Sequence, residues 1–314
     1  EPYRRQRQMC IRDREIPVFV SGDENYAPYM AVLIASACYN TKSFLKFYII
    51  GDPVVSFTRR QIESMKKKFD NFDIEFLDID MQKEFSAFKK ASSFEAAPYW
   101  SNTTYARILI PQLKPEVGKM INLDSDVIVL GDLQKMINLD MDGYALAGVP
   151  DNYMINDCLA KGGNYLDFSE KMLQKYFNAG VLIFDCDKWR QEGITEKLFQ
   201  IQRQYKDKLK YVEQDLLNKY FDNNYKVIGT EFNLMNSNIA TLIECPEKFK
   251  GLPYQKWNCI VRHFEGPMKP WLYNERVYPD YRCKTLNFDE FWFYAAMTPF
   301  FEGLKMKFQS KRFW

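Results

Sequence analysis

Short apolar runs of strand character alternate with stretches of helical periodicity from Ile16 onward, and this alternation narrows the folds open to the chain more than any other feature. Ile16 to Val20 reads as a strand, Tyr26 to Tyr39 as a helix, Phe44 to Ile50 as a strand, Thr58 to Phe69 as a helix and Ile74 to Leu77 as a strand. A βαβαβ opening sets its strands parallel with helices on the sheet faces, and ligands of such sheets gather beyond the carboxyl ends of the strands. The segment SGDENY, directly after the first strand, stands at such an end.

The same periodicities predict a helix over Thr104 to Leu113, a strand over Met120 to Leu123 that runs into Asp124-Ser125-Asp126, and a further strand over Val127 to Leu130. Strands follow at Tyr144 to Val149, Gly180 to Phe184 and Cys259 to Phe264, with helices from Asp187 to about Lys206 and from Glu213 to Tyr220. The length of 314 residues suits one large α/β domain with an appendage. We expect an extension over 1–15, the main domain over 16–272 and an appendage over 273–314. In the appendage Asn287 to Ala296 reads as a helix rich in aromatic residues, and the tail FFEGLKMKFQSKRFW mixes rings with Lys and Arg. Such a tail suits peripheral contact with an anionic membrane face, or rings packed on the main domain.

Composition removes several classes. Hydrophobic residues at 46% and charged residues at 27% specify a folded chain, and no apolar run approaches the ~18 residues of a membrane helix. A formal net charge of +2 builds in no attraction to nucleic acid, so an anionic ligand has to be caught locally. Seven scattered cysteines without C-x-x-C spacing read as reduced thiols of a cytoplasmic protein. The first fifteen residues carry five arginines and lead into no secretory apolar stretch.

Asp124 and Asp126 carry the strongest chemical signal. Two apart in an extended chain, they project to one side, and the apolar flanks INL and VIVL make unpaired charge costly there; a divalent cation is the simplest remedy. A lone D-x-D triplet fits a turn or cap equally well. His263, the single histidine, lies in VRHFEGPMKPW, where the strand breaks at Gly266-Pro267. Glycine lets backbone approach a phosphate and Lys269 adds positive charge, which together describe an anion-binding turn. Oxygen ligands with one imidazole suit Mn2+ better than Mg2+.

SGDENYAPYM, TTYARILIPQL, INLDSDVIVLGDL, FNAGVLIFDCDKWR, EQDLLN, FN and H-x-x-G-x-x-K-P-W occur in one order across Ile16 to Trp271. In this the chain resembles glycosyltransferase family 8, the retaining family of bacterial lipopolysaccharide galactosyl- and glucosyltransferases and of the glycogenins. The resemblance implies a GT-A fold, a Rossmann-like mixed sheet flanked by helices, with a UDP-hexose donor, Mn2+ and a glycan or glycolipid acceptor; the basic, aromatic tail would suit a lipid-linked acceptor at the inner membrane face. It implies Asp124, Asp126 and His263 as metal ligands, with Asp23, Asn25 and Tyr26 on the uridine. Arg107, Ser125, Gly266 and Lys269 would contact the donor and its phosphates, and Asp151, Asn178 and Gln214 the transferred sugar. Gln214, Asp151 and Glu213 are the catalytic candidates, Glu213 standing where many relatives carry Asp. Taken singly, Asp23 and Asn25 fit a loop and helix cap, Asn178 the start of a strand, and Arg107 and Lys269 solvated cations. Three other readings stay open: glycogenin-like self-glucosylation, sugar binding without catalysis, and a metal-dependent nucleotidyltransferase, whose Gly-rich basic N-terminal loop the acidic SGDENY does not supply.

Overall fold

The computed structural model describes residues 15–88, 102–239, 258–272 and 288–310. The βαβαβ opening is present as β1 (Ile16–Ser21), α1 (Ala27–Asn40), β2 (Leu45–Gly51), α2 (Ser56–Glu63) and β3 (Phe72–Asp78), with parallel pairing of β1 to β2 and β2 to β3. Strand β4 (Lys119–Asp124) adds in parallel to the other side of β1, with Ser21 in register with Asp124. Beyond it the direction reverses. β7 (Phe177–Asp185) pairs antiparallel with both β4 and β6 (Leu146–Pro150), and β8 (Lys226–Val227) closes the order β3-β2-β1-β4-β7-β6-β8. The sheet is therefore mixed.

Side chains along these strands alternate between two cores, as a period of two requires. Phe19, Met120, Leu182 and Phe184 enter one cluster with Trp189, while Val18, Val20, Ile121, Leu123, Val181 and Ile183 enter the other with α1. Helix α1 is apolar around most of its circumference because a third cluster takes its far side through Tyr29 and Val32. A small second sheet, order β5-β10-β9, lies there: β5 (Val127–Val129), β9 (Leu234–Met235) and β10 (Val261–His263).

Two predicted helices are divided. Thr104 to Leu113 is a 3-10 stretch over Asn102–Ile108 followed by the single turn α3 (Ile110–Leu113), because Pro111 lacks an N–H and fits only a first turn. The run from Asp187 is split into α4 (Cys186–Gln191) and α5 (Ile194–Tyr205) by Gly193, whose φ of 58° is left-handed. Helix α6 (Val212–Phe221) follows as expected. The D-x-D segment is the third difference. Asp124 is the last residue of β4, Asp126 precedes β5, and the chain between them turns from the large sheet into the small one.

In the appendage, α7 (Asp289–Ala295) and α8 (Phe301–Ser310) lie on the main domain. The Tyr294 hydroxyl is 2.7 Å from Asn40 Nδ2, Phe291 meets Trp271 at 5.1 Å between ring centroids, and Phe308 meets Trp292 at 5.1 Å. The rings of these helices are thus largely used on the protein, as the packing alternative expects. No described helix is long and apolar enough to cross a membrane. Cys38, Cys186 and Cys259 are free and buried. The extension over 1–14, the first part of the appendage over 273–287 and the last four residues of the tail lie outside the described residues.

Candidate active site

The turn between the two sheets brings the acidic pair to the single histidine. β10 runs antiparallel to β5 with His263 opposite Val127, and the Phe264 amide donates to the Asp126 carbonyl at 3.0 Å. One ligand atom each from Asp124, Asp126 and His263 lies within 4.8 Å of the other two. Asp124 and Asp126 converge by a turn and not by extended alternation, so the expected pairing holds for a different geometric reason. Ser125, between them, is buried.

Two carboxylates and an imidazole make a donor set for a divalent ion. A detail of the contact supports the fit. Asp126 Oδ1 is buried and accepts no hydrogen bond, yet it stands 3.2 Å from His263 Nε2. The other oxygen of Asp126 is paired with Lys269 Nζ, which also donates to the Phe264 carbonyl at 2.6 Å. Burial alone would raise the Asp126 carboxyl, but Lys269 and His263 hold it well below the usual carboxylate range. Burial would conversely lower the His263 imidazole, and Asp126 outweighs it, so the ring is raised above its ordinary value. The facing carboxylate oxygen and imidazole nitrogen offer a cation two donor atoms at one position.

Arg107, which its neighbours alone would allow to be solvated, is 2% exposed and forms the floor. Its guanidinium donates to Asp124 Oδ1 at 2.6 Å, to the Ala179 carbonyl, and to the Thr104 carbonyl at 3.1 Å, and pairs with Glu213 at 3.2 Å. Glu213 is itself hydrogen-bonded by the Thr104 hydroxyl, and burial raises its carboxyl against the pull of Arg107. Lys269 is likewise buried and paired.

The sugar-side candidates gather along β7. Gln214 Oε1 accepts the Ala179 amide at 2.9 Å, and Asn178 Nδ2 donates to Asp151 Oδ2 at 3.2 Å. Asp151 Oδ1 takes the Met154 amide at 3.0 Å, and burial raises the Asp151 carboxyl. Gln214 hangs from a strained start of α6: Val212 has φ of 40°, uncommon for a β-branched residue, and Asp215 pins the turn by accepting the amides of Lys210 and Tyr211 at 2.7 and 2.8 Å. Gly266 has φ of 72°, so its glycine is demanded by backbone geometry. Asp23, Asn25 and Tyr26 begin beside the carboxylates, since Ser21 is in register with Asp124. Asp23 Oδ1 accepts the amides of Asn25 and Tyr26 at 2.9 and 3.2 Å, the loop role its sequence position also suggested, while the N-cap of α1 is Tyr26, with no side-chain cap bond.

Two residues without an assigned role in the sequence belong here. Asn233 Oδ1 is 3.0 Å from His263 Nδ1, and a methyl group on Gly180 would lie 2.9 Å from Asp124 Oδ2 and crowd the His263 ring. Both stand inside motifs already noticed, F-N and F-N-A-G, and glycine against a strand interior was the available signal.

The family model for glycosyl transferase family 8 matches residues 17–275. General stress protein A of Bacillus subtilis is 29% identical over 301 residues, which cover 92% of this chain and 96% of that protein. The lipopolysaccharide 1,2-glucosyltransferase of Escherichia coli is 25% identical over 265 residues, 82% of this chain and 72% of that one. The crystal structure of the galactosyltransferase LgtC, with donor and acceptor sugar analogues, superposes with a TM-score of 0.75 at 23% identity, covering 90% of this chain and 96% of that one. The architecture, a mixed sheet flanked by helices with its acidic turn at the ends of the central strands, is that of the GT-A glycosyltransferases. With the match running through both sheets and every element that builds the site, the chain belongs to glycosyltransferase family 8.

Proposed function

We propose that the chain transfers a hexose, glucose or galactose, from a UDP-sugar to a glycan or glycolipid acceptor with retention of configuration, and that Asp124, Asp126 and His263 hold Mn2+. The observation that carries this reading is the convergence of those three side chains around a buried, unbonded carboxylate oxygen. When bound, the ion supplies Lewis-acid stabilisation to the diphosphate as it departs.

The protein's own groups do the rest. Lys269, held on Asp126 and carried by a turn opened by Gly266, would supply a second positive charge to the diphosphate. Arg107 fixes Asp124 from below and neutralises the Glu213 carboxylate beside it. Asp23, Asn25 and Tyr26, at the neighbouring strand end, are the proposed uridine contacts, Tyr26 by stacking. Ser125, buried between the two aspartates, is a further proposed donor contact. Asp151, Asn178 and Gln214 face the transferred sugar in this reading.

Retention requires a protein nucleophile or attack by the acceptor on the face that the leaving group vacates. Gln214 is a neutral amide and a poor nucleophile, Glu213 is engaged by Thr104 and Arg107, and Asp151 by Met154 and Asn178. These engagements favour same-face attack, with a donor phosphate oxygen taking the acceptor's proton.

The test is a donor screen with purified protein, Mn2+ and the common UDP-sugars, reading UDP release with and without acceptor. Turnover with UDP-glucose or UDP-galactose is expected, lost with EDTA and reduced by about 10² to 10³ in Asp126→Asn and His263→Ala. Undiminished turnover in EDTA would refute the metal role, and a trapped sugar on Gln214, Glu213 or Asp151 would refute same-face attack.

A further inference from the structure

A chain of amides runs from the sugar side of the site to the imidazole, and its polarity can be assigned from one end. The Gly180 backbone N–H lies 2.9 Å from the Asn178 side chain. A backbone N–H only donates, so the Asn178 atom facing it is the oxygen. That same oxygen lies 3.0 Å from the Asn233 side chain, whose facing atom must therefore be the nitrogen. The remaining Asn233 atom is then the oxygen, and it stands 3.0 Å from His263 Nδ1. An amide oxygen only accepts, so Nδ1 carries the hydrogen and Nε2, which faces Asp126, is the nitrogen left free to bind a cation. At the other end the Asn178 nitrogen is left to donate to Asp151 Oδ2 at 3.2 Å. All four side chains are buried, Asn233 completely, so water does not supply substitutes.

We infer that Asn233 is a positioning residue: oriented through Asn178 by the Gly180 amide, it locks His263 in the Nδ1–H tautomer with Nε2 directed at the metal position, and joins that position to Asp151. Partners of this kind, donating or accepting at the far nitrogen of a metal-binding imidazole, commonly set both tautomer and ligand strength. The inference deepens the metal role proposed above, and its primary test does not depend on that role.

Because the chain has one histidine, its ring nitrogens can be read without ambiguity by 15N NMR of the full chain labelled in histidine. With the ring neutral, at a pH raised until its nitrogen shifts stop moving, the wild-type chain is expected to show hydrogen on Nδ1. Hydrogen on Nε2 would overturn the inference. Asn233→Ala is expected to give a mixture of tautomers and to weaken Mn2+ binding, measured by calorimetry, by about 10- to 100-fold. Asn233→Asp, which keeps an acceptor toward Nδ1 while giving up the donor to Asn178 Oδ1, is expected to hold the Nδ1–H form. An Asn233→Ala chain with unchanged tautomer and unchanged Mn2+ affinity would also overturn it; should that variant fail to fold, the wild-type tautomer decides. Absence of Mn2+ binding by the wild-type chain would instead count against the metal role, and the tautomer result would stand apart from it.

Discussion

A side-chain methyl at position 180 has nowhere to go. It would press on the His263 ring and lie 2.9 Å from Asp124 Oδ2 and 3.0 Å from Asn178 Oδ1, three groups whose positions define the site. Gly180→Ala is therefore expected to weaken Mn2+ binding by about 10- to 100-fold while the circular dichroism of the folded chain stays unchanged; an unaltered Mn2+ titration would show that the ring has room to move. The imidazole also sets a pH dependence. Asp126 raises the His263 pKa above the ordinary value, and a protonated ring cannot ligate, so metal and proton compete for Nε2. Apparent Mn2+ affinity should fall as pH drops through that raised pKa, by about tenfold per unit below it, with the midpoint above the usual ~6.5. A midpoint below that value would contradict the carboxylate's influence. The three residues proposed as ligands stand out in the sequence because acidic residues between apolar runs, and a lone histidine before a Gly-Pro break, are conspicuous at any fold, and the structure brings them together. Asn233 and Gly180 were not, since their importance lies in what stands opposite them: an amide is ordinary until its partner is an imidazole, and a strand glycine is ordinary until a ring lies over it.

The loop after β10 owes its shape to the elements that close over it. Trp271 stacks on Tyr29 of α1 with ring centroids 3.9 Å apart and meets Phe291 of α7 on another side, while Phe264 meets Phe291 at 6.0 Å. Phe291 thus touches both residues that bracket the Gly266 turn and Lys269. Removing a buried aromatic ring typically costs about 3 to 5 kcal/mol, so Phe291→Ala should lower the urea midpoint clearly, and the loss should extend to the loop that follows His263. A midpoint equal to wild type would mean that α7 is not part of the cooperative unit. The alternation of strand and helix was readable because sheet and helix faces impose periods of two and 3.6 on hydrophobicity. Of the small sheet, β5 and β10 were readable as the strands over Val127 to Leu130 and Cys259 to Phe264, while β9, which spans only Leu234–Met235, is too short for any period to show. The splits at Pro111 and Gly193 were visible as residues, but apolar spacing continued across them and concealed the breaks.

The proposed metal position also lies between the two sheets. Asp124 ends strand β4 of the seven-stranded sheet, His263 ends the central strand of the small one, and Asp126 lies in the connection from β4 to β5. A ligand that binds only when these parts are correctly placed stabilises the folded chain by mass action, by about 2.7 kcal/mol at a hundredfold excess over Kd. For a chain of this length that corresponds to roughly 4 °C in Tm, because the unfolding entropy grows with residue number. Saturating Mn2+ should therefore raise Tm by about that amount in the wild-type chain, and the increment should vanish in His263→Ala, which removes one ligand from the small sheet. The comparison between metal-bound and metal-free melting matters more than either value alone. His263→Ala also alters the stability of the metal-free protein, since it leaves Asn233 Oδ1 without its partner. An equal Mn2+ increment in wild type and His263→Ala would place the ion elsewhere and would separate the two sheets energetically.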